Sequence, residues 1–138
     1  MFKEPNEMMN SNDLKVTIIE DSRHIGEWIK ESIESIEGLE VVDWNKDGEN
    51  ALSRVQEEKP DIIILDLNLP GIRGLDILQH LRRNGPKPLI IVFTINEQAR
   101  KKALEMGADY FFDKALEDQN LLKTLGTLGR LNLNRILI

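Results

Sequence analysis

Residues 60–71 read Pro-Asp-Ile-Ile-Ile-Leu-Asp-Leu-Asn-Leu-Pro-Gly. Ile62 to Leu65 is an unbroken apolar run, three of its four residues isoleucine. A strand with no polar alternation is what the interior of a parallel sheet demands, because both faces are covered. The run stops at Asp66. A loop with Pro70, Gly71 and Gly74 follows, and then Leu75, Leu78 and Leu81 recur at helical spacing. The same strand–loop–helix unit appears on either side. Val16 to Ile19 is β-branched, ends in Glu20 and Asp21, and leads into Ile25, Trp28, Ile29, Ile33 and Ile36. Leu39 to Trp44 reads as a strand, followed by the Asp47-Gly48 turn and a short helix through Ala51, Leu52 and Val55 that Pro60 stops. Leu89 to Phe93 ends in Thr94 and precedes a helix over 97–106, with Gly107 as its C-cap. Tyr110 to Phe112 ends near Lys114, and a last helix is expected from Leu116 to about Leu128. Strands alternating with helices predict an α/β fold, a doubly wound five-stranded parallel sheet with helices on both faces.

Composition agrees with one such domain. The chain has 138 residues, 41% apolar and 30% charged, enough for a single core. The absence of cysteine excludes disulfides and thiolate metal sites. With 18 basic and 24 acidic residues the net charge is −6, which argues against a nonspecific nucleic-acid surface. The apolar runs are far short of the ~20 residues that a membrane helix needs, so no membrane association is expected and the cytoplasm is the expected location. Residues 1–13 read as a flexible polar leader, 14–128 as the domain, and 129–138 as an apolar and basic extension.

Ligands of open α/β sheets sit beyond the carboxyl ends of the strands. The polar residues at those ends are Glu20 and Asp21, Asp66, Thr94 and Lys114. Three converging carboxylates repel one another unless a cation lies between them. Hard oxygen donors of this kind suit Mg²⁺. A cation, a carboxylate nucleophile, a hydroxyl and an ammonium together fit phosphoryl transfer to a carboxylate.

With these residues in hand, the chain resembles the receiver domain of two-component response regulators, in a stand-alone form. The resemblance runs from about Leu14 to Leu128. It is carried by Val16-Thr17-Ile18-Ile19-Glu20-Asp21, by Asp47-Gly48 and the following Glu49-Asn50-Ala51-Leu52, by residues 60–71 with Gly74, by Phe93-Thr94, and by Gly107-Ala108-Asp109-Tyr110-Phe111-Phe112-Asp113-Lys114. It implies a flavodoxin-like (βα)5 fold with strand order 2-1-3-4-5. It implies that Asp66 accepts a phosphoryl group from a phosphohistidine on a sensor histidine kinase or phosphotransfer protein. Glu20 and Asp21 would hold Mg²⁺ together with Asp66 and the backbone carbonyl of Asn68. Thr94 would be the switch hydroxyl, Lys114 the lysine that pairs with the phosphoryl group, and Phe111 the aromatic whose rotamer follows Thr94. The chain would catalyse only its own phosphorylation and dephosphorylation, and would signal to a downstream protein target through protein–protein contacts without binding DNA directly.

Two positions depart from the family pattern. Ile95 stands where a small residue is usual, and Ala115 where proline, often after a cis peptide, is common. A cis bond before a non-proline residue costs ~3 kcal/mol, so either the fold supports that cost or the bond is trans. The alternative to the phosphorylation switch is a pseudo-receiver, the same fold acting as an interaction module. An Asp-x-Asp phosphatase is disfavoured because Asn68 replaces the second acid, and a dinucleotide site because no glycine-rich loop follows the first strand. Trp28 and Trp44 read as packing residues, His24 and His80 as solvent-facing, and Arg82-Arg83 and Arg100-Lys101-Lys102 as solvated helix faces. The extension, with Leu131, Leu133 and Ile136 to Ile138, is expected to pack on a partner or on a second copy of the chain as a homodimer; the alternatives are that it folds back on its own domain or is the start of a truncated output region.

Overall fold

The computed structural model describes residues 12–137. The leader read over 1–13 therefore lies mostly outside the described residues. The elements alternate as expected: β1 (Leu14–Ile19), α1 (Arg23–Glu34), β2 (Leu39–Asn45), α2 (Gly48–Glu58), β3 (Ile62–Leu65), α3 (Gly74–Arg82), β4 (Leu89–Thr94), a 3₁₀ turn (Glu97–Ala99), α4 (Arg100–Glu105), β5 (Tyr110–Asp113) and α5 (Asp118–Leu137). The strands form one sheet in the order β2-β1-β3-β4-β5, and all four pairings are parallel.

β3 lies in the middle, which explains its unbroken apolar run. Ile63 and Leu65 belong to the core shared with α2, α3 and α4, where Ala51, Ile77, Leu78 and Ala103 are buried. Ile62 and Ile64 belong to the opposite core, with Ile29 and Ile33 of α1 and Leu121 and Leu125 of α5. At ~25 cal/mol per Å² of apolar surface removed from water, two such cores supply most of the stabilisation.

The last helix differs from expectation. It runs through both Gly126 and Gly129 to Leu137 and crosses residue 128 without a break. Gly129 is buried against the α1–β2 turn, where a Cβ would stand 2.5 Å from the Glu37 carbonyl oxygen. One turn on, Asn132 is buried and its Nδ2 donates to the carbonyls of Asn12 (2.8 Å) and Gly38 (3.2 Å). Tertiary contact thus overrides the low helix propensity of glycine. Leu131 remains exposed. Among the described residues the one cis peptide bond precedes Pro88, so the Lys114–Ala115 bond is trans. No helix of the described residues is long and apolar enough to cross a membrane.

Candidate functional site

The site forms where β1, β3, β4 and β5 end. Glu20 follows β1 directly, and its backbone is held by the end of β2: its amide donates to the Asn45 carbonyl (2.9 Å), and its carbonyl accepts from the Trp44 indole N–H (2.9 Å). Its side chain turns back to accept from the Ser22 amide (3.0 Å). Ser22 is also the N-cap of α1, accepting from the Ile25 amide, so the helix starts immediately after the acid pair.

Asp66 is placed by its amide, which donates to Ile19 O (3.0 Å) and extends the β1–β3 ladder by one residue. Its Oδ1 accepts from the Asn68 amide (3.1 Å) and its Oδ2 from Lys114 Nζ (2.9 Å). The loop after it folds tightly because Gly74 meets Leu67: a Cβ on Gly74 would lie 2.3 Å from the Leu67 Cα. Lys114 follows β5 directly, and its amide donates to Thr94 O (3.0 Å). Its ammonium also reaches Glu20 Oε1 at 2.7 Å.

One oxygen from each of Glu20, Asp21 and Asp66 lies within 4.8 Å of the others. Glu20 and Asp66 are 1% and 3% exposed, whereas Asp21 faces solvent. Burial pushes the Glu20 carboxyl up to about 7, and the charge of Asp66 adds to this against the pull of Lys114 and the Ser22 amide. Burial alone would lower the Lys114 pKa, but its bonds to Glu20 and Asp66 outweigh that and hold it above the usual lysine value. Glu20 and Asp66 share one ammonium and Asp21 lies alongside, so the cluster is under-neutralised. Its all-oxygen donor set is the kind a hard divalent cation takes.

The remaining sequence-predicted residues lie outside the three-carboxylate cluster. Thr94 is fully buried at the end of β4, and its Oγ1 accepts from the Asn96 amide (3.4 Å). Asn68 is exposed, and its amide is the group that touches Asp66. Ile95 points to solvent, 65% exposed. Phe111 is not in the carboxylate cluster; it is buried on the α4 side of the sheet. His24 is exposed, but it lines a cleft of about 180 Å³ beside Lys114, together with Ile25, Trp28, Phe93 and Asp118. His80 is half-buried.

Two basic residues read as solvated do otherwise. Arg82 donates to the carbonyls of Gly107 and Pro88 and pairs with Asp109. Arg100 stacks on the Phe111 ring (4.7 Å to its centroid), donates to the Phe111 carbonyl (3.0 Å), and pairs with Glu97 and Glu117. Glu117 also accepts from the Asp113 amide, next to Lys114. Nothing in the local sequence separates Arg100 from Lys101 and Lys102.

The family model for the response regulator receiver domain matches residues 16–126. The chain belongs to the response regulator receiver domains. This receiver domain is 32% identical over 120 residues to the nitrate/nitrite response regulator protein NarL of Escherichia coli K12, covering 86% of the chain and 56% of NarL. It is 33% identical over 104 residues to a protein-glutamate methylesterase/protein-glutamine glutaminase of Caldanaerobacter subterraneus, covering 73% of the chain and 28% of that protein. The chain thus spans about half, or less, of the length of these curated relatives. Among solved structures, the response regulator domain of Thermotoga maritima CheB superposes with a TM-score of 0.74 at 26% identity, over 88% of this chain and 97% of that one. The receiver domain of AraT from Geobacillus stearothermophilus gives 0.75 at 26% identity over the same shares.

Proposed function

We propose that this receiver domain is a phosphorylation-controlled signalling switch with Asp66 as the phosphoacceptor. The observation that carries the reading is the buried Asp66 carboxylate, held on one oxygen by Lys114 and on the other by the Asn68 amide, with two further carboxylates alongside. Glu20, Asp21 and Asp66, with the Asn68 carbonyl, would hold Mg²⁺. Bound there, the ion supplies positive charge to neutralise the carboxylates and the phosphoryl oxygens.

In the transfer, an Asp66 oxygen forms a bond to phosphorus as the phosphorus–nitrogen bond of a phosphohistidine breaks. The imidazole nitrogen leaves with the electron pair and takes up a proton. Lys114, already 2.9 Å from Asp66 Oδ2, follows the negative charge onto the phosphoryl group. The Thr94 hydroxyl, whose oxygen accepts from the Asn96 amide, turns to donate its O–H to a phosphoryl oxygen, and this biases the equilibrium between two arrangements of the β4–α4 and β5–α5 segments. Phe111, packed beneath Arg100, is positioned to transmit that change to α4. The phosphoryl donor is a sensor histidine kinase or a phosphotransfer protein. The cleft between α1 and the start of α5, next to Lys114, offers such a donor an apolar foothold, and output passes to a protein target.

Intact-mass spectrometry after incubation with acetyl phosphate and Mg²⁺ tests the reading. A single phosphoryl adduct should form, and should be lost both in Asp66→Ala and in chelator. No adduct, even with a phosphorylated kinase as donor, would replace the switch by the pseudo-receiver interaction module.

A further inference from the structure

We propose that Trp44 is a positioning residue for the acid pair: its indole N–H sets the peptide unit from which Glu20 and Asp21 present their carboxylates to a divalent cation. The inference rests on the cation reading above and extends it to a residue outside the carboxylate cluster. β1 ends at Ile19, so the Glu20 carbonyl lies beyond the last residue of that strand. It accepts instead from Trp44 Nε1 at 2.9 Å, while the Glu20 amide donates to Asn45 O, also at 2.9 Å. The end of β2 therefore grips Glu20 by both backbone groups.

That carbonyl belongs to the planar unit joining the Glu20 and Asp21 Cα atoms. Fixing its oxygen fixes the rotation of the whole plane and hence the direction in which Asp21 departs. Asp21 has the most need of such support. It is the exposed member of the three, while Glu20 and Asp66 are held by burial and by Lys114.

The surroundings of the indole are shaped to keep it there. On α1, Gly26 lies directly against the ring, where a Cβ would stand 1.9 Å from Trp44 Cζ2 and 2.3 Å from Cε2. Glycine inside a helix costs roughly 0.5–1 kcal/mol relative to alanine, and α1 carries that cost at the position facing Trp44. Lys46 Nζ stands over the indole ring, 5.2 Å from its centroid. Packing alone would explain an aromatic ring at residue 44. It would not explain why the N–H points at the backbone of the acid pair.

The test measures Mg²⁺ affinity by calorimetry on two variants. Trp44→Phe keeps an apolar ring and loses the N–H. Replacing Trp44 by 3-benzothienylalanine keeps the bicyclic shape and exchanges only the N–H for sulfur, so this variant serves if the phenylalanine protein folds poorly. Removing a hydrogen bond from the shell behind metal ligands typically weakens binding 10–100-fold, so the Mg²⁺ dissociation constant should rise about tenfold in both variants, with unchanged circular dichroism in chelator. A dissociation constant within about twofold of the parent protein's, in a folded benzothienyl variant, overturns the positioning role and leaves the cation site standing. No Mg²⁺ binding by the parent protein itself would bring down the cation reading, and this inference with it.

Discussion

Glu20 shows how one side chain can weaken the fold that positions it. In the ion-free protein burial raises its carboxyl from 4.5 to about 7, with the Asp66 charge adding to the effect. Between those two pH values the folded protein still holds a proton that the unfolded chain has released. Stability therefore falls as pH rises from about 4.5 through about 7, by on the order of 3 kcal/mol in total, and this group contributes no slope outside that window. Glu20→Gln cannot titrate, so its urea midpoint in chelator should be flat across the window in which the parent declines. An equal decline in both proteins would assign the slope to another group. The acid pair, Asp66, Thr94 and Lys114 were legible in the sequence because each is a polar residue at the end of an apolar strand. The Trp44 bond was not legible, since a tryptophan in a strand reads as packing until the register of β1 against β2 brings its indole to Glu20.

α5 separates local propensity from tertiary contact within one element. Gly126 and Gly129 are one turn apart and would cost the same in an isolated helix. A Cβ on Gly126 would meet nothing closer than Arg130 Nη1 at 3.9 Å, so Gly126→Ala should stabilise the protein by roughly 0.5–1 kcal/mol. On Gly129 the same methyl would stand 2.5 Å from the Glu37 carbonyl oxygen and 2.9 Å from Ile36 Cγ2. Gly129→Ala should therefore destabilise by roughly 1–3 kcal/mol as α5 is pushed off the α1–β2 turn. Urea denaturation of both variants decides the point; shifts of the same sign would show that contact with that turn does not govern α5. The helix end expected near Leu128 gives way to one at Leu137 for this reason. The sequence displays two glycines and a loss of helix propensity, while the surface that packs on Gly129 comes from residues about 90 positions earlier. Arg100 teaches the same lesson on α4. Three adjacent cations look alike in sequence, and the fold turns one of them onto Phe111 and Glu117.

At the scale of the whole molecule the two ends of the sheet have different tasks. The carboxyl end gathers the acid cluster and its loops. The amino end ties the described chain together: Leu14 N donates to Gly38 O (2.8 Å), and Asn132, 5% exposed, donates to both Asn12 O and Gly38 O. The start of β1, the start of β2 and the end of α5 are thereby joined at a point on the far side of the sheet from Asp66. Removing residues 131–138 would cut this tie as well as the exposed Leu131, so a change of association state in such a truncation would mix two causes. Asn132→Ala isolates the tie. It leaves two carbonyls without this donor and should lower stability by roughly 1–3 kcal/mol, read from urea midpoints. Phosphoryl uptake from acetyl phosphate, measured by intact mass well below the unfolding transition, should proceed at the parent rate, because no group of the acid cluster touches Asn132. A variant with parental stability would show that the buried amide contributes nothing net. A variant of lowered stability that also took up phosphate more slowly would show that the two ends are coupled through α5, and that the helix belongs to the switch rather than to its foundation.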